Sequence, residues 1–227
     1  MTIEELKFEA AKEAVKDVKS NMIVGLGTGS TANFAIKIIA EKYKNGEIQN
    51  IKCISSSTNS EILAKELGLP VISFDEVQQI DITIDGADEV DENLNIIKGG
   101  GGALLREKIL AQASKTEIII VDSSKTSKLL GEKWALPVEV IRFSYKNEKK
   151  YIESLGATVT LRLKNGIPFI TDEGNYIIDC NFGVIPSPDK LADLLNKRAG
   201  IVEHGLFINL CSKLIIAKED GIVVKNK

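Results

Sequence analysis

Lys98 stands directly before four consecutive glycines, Gly99 to Gly102, and Glu107 follows within the run Ala103 to Leu110, which reads as a strong helix former. A glycine loop that opens a helix turns free backbone N–H groups toward an anion. Glycine also permits a backbone approach that side chains would block. The stretch therefore combines an anion cradle with a cation, Lys98, and a base, Glu107. A flexible linker is the plain rival, but linkers usually carry Ser and other polar residues rather than a bare glycine block. A second cluster, Asp85-Gly86-Ala87-Asp88, follows the apolar run Ile82-Thr83-Ile84. Two carboxylates around a glycine can converge on one site and divide the tasks of giving and taking a proton. A simple turn is the structural rival. With Glu89 and Asp91 nearby, Mg²⁺ or Ca²⁺ binding is another, although the spacing is not that of an EF-hand loop.

Two further loops suit phosphate. Gly25-Leu26-Gly27-Thr28-Gly29-Ser30-Thr31 lies between a predicted strand and a predicted helix, where glycines and hydroxyls recur around phosphates. It is not a dinucleotide fingerprint. Ser30 takes the third glycine position, and the next strand ends in Ser55-Ser56-Ser57-Thr58, without an acid for a ribose hydroxyl. No Lys-Ser/Thr pair closes it as a Walker loop. A small phosphate ester fits better, against the plainer reading of a capped strand-to-helix turn. Ser55 to Thr58 themselves read as a helix cap. Asp122-Ser123-Ser124-Lys125 ends another strand, and Lys125 can hold a phosphate as a point charge or stand as an ordinary surface lysine. His204, the one histidine, reads as structural beside Gly205, and Trp134 reads as packing between domains.

The elements that must position these residues follow from periodicity. Helical spacing predicts helices over 2–18, 33–43 and 59–67, and apolar runs predict strands over 22–25, 51–55, 71–74, 81–84 and 117–121. Strands that are apolar on both faces and alternate with helices indicate a parallel α/β sheet. From Pro137 the pattern becomes strand 138–143, helix 147–155, strand 157–163, a strand with an internal turn over 168–180, helix 188–198 and strand 201–207. That β-α-β-β-α-β order is ferredoxin-like. The tail, 213–217 and 221–224 around Asp220-Gly221, reads as a hairpin. The expected fold class is α/β: a Rossmann-like, mostly parallel sheet domain over 1–130 and 208–227, and a smaller ferredoxin-like α+β domain over 131–207.

Composition narrows the partners. The chain has 227 residues and a net charge of −3, which argues against nucleic acid or an anionic membrane as a partner. Three scattered cysteines and a single histidine make neither a disulfide framework nor a metal centre. The first residues lack the basic and apolar regions of a secretion signal, and no apolar run reaches membrane-spanning length. A protein of a reducing compartment, without metal or cofactor, is expected.

All the chemical groups fall at the C-terminal ends of predicted parallel strands. No Ser/His or Cys/His nucleophile is present, so acid–base work with oxyanion stabilisation is the natural match. Aldose–ketose isomerisation of a sugar phosphate uses every member of the set. Three rivals stand beside it. A sugar-phosphate sensor would need a DNA-binding helix-turn-helix, a CoA transferase an extended nucleotide site, and amino-sugar phosphate deamination is the nearest enzymatic alternative.

The segments Gly-Leu-Gly-Thr-Gly-Ser-Thr-Ala, Asp-Gly-Ala-Asp-Glu-Val-Asp, Lys-Gly-Gly-Gly-Gly-Ala-Leu-Leu-Arg-Glu-Lys and Asp-Ser-Ser-Lys, in this order, resemble the type A ribose-5-phosphate isomerases. So do Leu136-Pro137-Val138-Glu139-Val140 and Gly205-Leu206-Phe207. The resemblance implies interconversion of D-ribose 5-phosphate and D-ribulose 5-phosphate in the non-oxidative pentose phosphate pathway, without metal. It implies Glu107 as the proton-transferring base; beside it the acid–base reading of the residues expects Lys98 to steady the enediolate oxygen and Asp85 or Asp88 to move protons between the sugar oxygens. It implies substrate contacts at Thr28, Gly29, Ser30, Thr31, Asp85, Gly86, Ala87, Asp88, Lys98, Gly99, Gly100, Gly101 and Lys125. A cytoplasmic homodimer or homotetramer, acting on a small sugar phosphate, is the corresponding expectation.

Overall fold

The computed structural model describes residues 1–227. The chain begins with α1 (Ile3–Val15), β1 (Ile23–Leu26), α2 (Ser30–Lys44), β2 (Lys52–Ser55), α3 (Thr58–Glu66) and β3 (Ile80–Gly86). Two short strands follow, β4 (Glu89–Val90) and β5 (Ile96–Ile97), then α4 (Leu104–Ala113), β6 (Ser114–Asp122) and a single 3₁₀ turn over Ser123–Lys125. Next come β7 (Leu136–Val140), α5 (Tyr145–Ser154), β8 (Thr158–Leu161), β9 (Leu163–Lys164), β10 (Ile167–Pro168) and β11 (Tyr176–Asn181). The last elements are α6 (Pro188–Asn196), β12 (Ile201–His204), β13 (Leu206–Phe207), β14 (Lys213–Lys218) and β15 (Gly221–Asn226). Contacts divide the chain into two compact units: Met1–Ala87, Arg106–Ser124 and Leu210–Lys227 form the first, Asp88–Leu105 and Lys125–Asn209 the second.

The first unit holds a six-stranded sheet in the order β15-β14-β6-β3-β1-β2. Its neighbours pair in parallel except β14 with β15, the hairpin expected at the tail. β3 and β6 are buried over most of their length; β6 shows it as the continuous apolar run Ile118–Val121, whereas β3 alternates Ile80, Ile82 and Ile84 with Asp81, Thr83 and Asp85. Leu6, Ala10 and Ala14 of α1 and Ile36 and Ile39 of α2 pack on Val24, Leu26, Ile82, Ile84, Ile118 and Ile120 of the sheet. Each Val, Leu or Ile side chain so removed from water is worth about 1.5–3 kcal/mol. The alanine face of α1 gives close approach, and a Thr2–Glu5 capping box starts that helix.

The second unit carries the β-α-β-β-α-β order as an antiparallel sheet, β12-β7-β11-β8. Leu136, Val138, Ile178, Cys180, Ile152 and Leu195 form its core. A small antiparallel sheet, β13-β5-β4, belongs to the same unit. The expected α/β class is borne out by the mostly parallel sheet.

Three local expectations change. Residues 71–74 form no strand. Val71 makes one isolated bridge to Cys53, and the Ser73 hydroxyl accepts from the Asp75 N–H at 3.2 Å, turning the backbone away. The single strand expected over 201–207 is two, because the chain bends at Gly205, where an added Cβ would stand 2.2 Å from the Lys98 carbonyl oxygen. The turn expected within 168–180 is preceded by a two-residue hairpin, β9–β10.

Candidate active site

In the first unit the sheet order reverses at β1, which has β2 on one side and β3 on the other. Ligands of open α/β sheets bind outside the carboxyl ends of strands at such a switch point. The loops leaving β1 and β3 are the two glycine-containing motifs. The Asp85 side chain is 1% exposed, and its Oδ1 accepts from the Thr28 N–H at 3.0 Å and the Gly86 N–H at 2.7 Å. Gly27 is obligatory here, since a Cβ would stand 2.3 Å from that oxygen and 2.6 Å from the Asp85 Cα. Gly29 takes φ = 104°, a conformation disfavoured for side chains, and starts α2 without a side-chain cap. The first N–H groups of α2, at Ser30 and Thr31, thus receive no side-chain cap.

Thr28 has a second attachment. Its hydroxyl donates to Ser57 Oγ at 2.8 Å and lies 2.8 Å from Ser56 Oγ. Ser57 caps α3 through a capping box with Ser60, so the helix-cap reading of Ser55 to Thr58 holds at Ser57. Glu107, 5% exposed, lies in the first turn of α4. Asp122 accepts from the Ser124 N–H at 2.9 Å and from its hydroxyl, shaping the turn that leads to Lys125.

In the second unit the glycine block is a tight turn, closed by the Gly102 N–H donating to the Gly99 carbonyl at 3.0 Å. The glycines are required for different reasons. Gly99 has φ = 102° and faces Leu104 and Pro137; Gly100 faces Asp88, whose Oδ1 would be 2.6 Å from a Cβ; Gly102 has φ = 85° with Phe169 against it. Asp88 Oδ2 accepts from the Gly100 N–H at 2.7 Å, which ties one expected carboxylate to the expected loop. Lys98 is 2% exposed, unusual for lysine, and its Nζ lies 5.7 Å from the Phe207 ring centroid. Lys125 Nζ lies 5.0 Å from the Trp134 centroid.

Sequence reasoning missed the groups that support this second set. Arg162 Nη1 donates to the carbonyls of Gly99 (2.7 Å) and Gly100 (3.1 Å) while its Nε and Nη2 donate to Asp179. Glu89, fully buried, accepts from the N–H groups of Gly131, Lys133 and Trp134 and so shapes the loop that presents the Trp134 ring. No local signal marks either residue, because their partners lie tens of positions away in the chain. Thr28 to Thr31, Asp85 to Ala87 and Glu107 belong to the first unit; Asp88, Lys98 to Gly101 and Lys125 belong to the second. No group of three or more His, Cys, Asp or Glu side chains is arranged to hold a metal ion.

The family model for ribose 5-phosphate isomerase A (phosphoriboisomerase A) matches residues 52–221. Ribose-5-phosphate isomerase A of Desulfatibacillum aliphaticivorans is 53% identical over 218 residues, 96% of this chain and 95% of its own. That of Chloroflexus aurantiacus is 50% identical over 95% and 91%. Among solved structures, a D-ribose-5-phosphate isomerase in complex with phospho-erythronic acid has a TM-score of 0.98 at 40% identity, covering all of both chains. Ribose 5-phosphate isomerase A from Methanocaldococcus jannaschii has a TM-score of 0.95 at 37% identity, again over both whole chains. With a parallel-sheet switch point, a carboxylate-tied glycine turn and relatives of this closeness, the chain belongs to the ribose 5-phosphate isomerase A family.

Proposed function

We propose that this chain interconverts D-ribose 5-phosphate and D-ribulose 5-phosphate by proton transfer through an enediolate, with Glu107 as the base. The observation that carries the assignment is a carboxylate only 5% exposed in the first turn of the helix that follows the glycine block. The Glu107 carboxylate takes the C2 proton of the open-chain aldehyde. The C2–H electron pair becomes the C1=C2 bond, and the carbonyl π pair moves onto O1. Reprotonation at C1 by Glu107, with the O2 proton passed to O1, leaves the C2 ketone and a C1 hydroxyl. Nothing is oxidised or reduced overall.

The negative oxygen needs donors already in place, each worth about 2.7–4 kcal/mol. Lys98 and the N–H groups of Gly99 and Gly101 are assigned to it, while Gly100, its N–H held by Asp88, shapes the turn that lines the sugar. Asp85 and Asp88 carry protons between the sugar oxygens and assist ring opening. Ser30, Thr31 and Lys125 hold the phosphate, with Thr28, Gly29, Gly86 and Ala87 lining the sugar. Phospho-erythronic acid, bound by a solved relative, supports this assignment: its carboxylate sets two oxygens in one plane, as a cis-enediolate does. Such mimics bind more tightly than substrate when a site is built for the transition state.

Glu107→Gln tests the reading. It keeps the side-chain shape, so binding of phospho-erythronic acid persists while kcat falls about 10²–10⁴-fold, the usual worth of a positioned base. Near-normal turnover would remove Glu107 from that role. Activity is also expected to survive exhaustive chelation; recovery only on adding a metal would overturn the metal-free mechanism. The dimeric or tetrameric state is checked by light scattering, and a cytoplasmic location by fractionation.

A further inference from the structure

Arg162 occupies the one-residue gap between β8 and β9 and keeps only 14% of its side-chain surface exposed. Asp179, on the paired strand β11, accepts from both Nε and Nη2, a two-point grip that fixes the guanidinium plane. The remaining nitrogen, Nη1, reaches two successive carbonyls of the glycine block, Gly99 and Gly100. In a trans peptide the C=O and the following N–H point in opposite directions. Drawing those two carbonyls to one cation therefore turns the N–H groups of Gly100 and Gly101 away from it. The Gly100 N–H goes to Asp88. The Gly101 N–H belongs to an exposed residue at the tip of the turn.

Glycines would otherwise leave these peptide planes free to rotate. We infer that Arg162, held by Asp179, is a positioning residue for the isomerisation: it locks the Gly99–Gly101 peptides so that the Gly101 N–H is aimed in advance at the enediolate oxygen. Its positive charge beside the two carbonyls also polarises both peptide units and strengthens their N–H groups as donors. A lysine cannot replace it, since one ammonium cannot grip Asp179 at two points and reach both carbonyls. The inference rests on the proposed role of the glycine block as the oxyanion cradle.

Arg162→Met and Asp179→Asn in the full chain test it, with kcat, KM and two ligands measured. Losing an oxyanion donor costs about 10²–10³ in kcat; disorienting one is expected to cost roughly a tenth of that, about 10–10²-fold in Arg162→Met. KM for ribose 5-phosphate changes little. Affinity for phospho-erythronic acid falls with kcat, whereas competition by inorganic phosphate is unchanged. Asp179→Asn moves in the same direction by less, and Arg162→Lys restores activity only in part. A merely structural role would weaken both ligands together, and that result, or unchanged kcat in both variants, overturns the inference. Should Arg162→Met not fold, Asp179→Asn decides alone. An inactive Glu107→Gln beside an unimpaired Arg162→Met defeats the inference but not the isomerase reading; an active Glu107→Gln defeats the reading itself.

Discussion

Lys125 Nζ lies over the ring of Trp134, the single tryptophan of the chain. A cation over an indole face is held by about 0.5–1 kcal/mol at an exposed site. That is enough to orient the ammonium and little enough for a phosphate to compete. Binding of ribose 5-phosphate is accordingly expected to change the intrinsic tryptophan fluorescence, saturating with the substrate's affinity. Lys125→Met should abolish the response and raise KM. A full response in that variant would separate Lys125 from the phosphate. Other residues are set against chemistry. Burial pushes the Cys53 and Cys211 thiols up to about 12 and pushes Cys180 up as well, so none is a thiolate near neutrality. Their scatter in the sequence already excluded a disulfide framework, and all three are free. Residue types with intrinsic chemistry were readable in this way; residues that act by holding others, such as Arg162 and Glu89, were not.

Elements carry the next level of control. The loop after β1 is braced from a helix it does not belong to, because Thr28 bonds to Ser57, the cap of α3. Ser57→Ala removes both the cap and this brace. Loss of an N-cap costs about 0.5–2 kcal/mol, so the melting temperature should fall by a few degrees, about what that energy represents in a domain this size. Because Thr28 is assigned to the substrate, KM should rise as well. A lower melting temperature with unchanged KM would mean that Thr28 holds its place without α3. Most helices and core strands were visible in the sequence, since 3.6-residue and continuous apolar patterns report burial directly. The two-residue strands β4 and β5 were not, and β13 was read as the end of one longer strand. They are too short to show a period, and only long-range pairing defines them.

At the scale of the whole molecule, stability carries a pH signature from Glu139. This side chain is 1% exposed on β7, and burial raises its pKa, although hydrogen bonds from Asn175 and Thr171 oppose the shift. Glu173 and Glu203 add to the rise. A carboxyl with a raised folded-state value holds its proton longer in the native state than in the unfolded chain. Below the ordinary value of 4.5 both states are protonated and no penalty exists. As pH climbs through 4.5 and past the folded value, the unfolded chain ionises first and stability is lost, remaining lower above that window. Glu139→Gln keeps an acceptor for Thr171 and Asn175 and removes the charge. It should match the parent in unfolding free energy at pH 4 and exceed it at pH 7; equal curves at both would remove Glu139 from the balance. The sequence by itself determined the α/β class, the glycine loops at the strand ends, the glutamate that opens its helix and the family, because apolar periodicity and glycine–acid motifs are local properties of the chain. Tertiary structure alone decided that Asp85 is tied to Thr28, Asp88 to Gly100 and Arg162 to the glycine carbonyls. Hydrogen-bond geometry of that kind depends on distances between residues far apart in the chain, which no local pattern encodes.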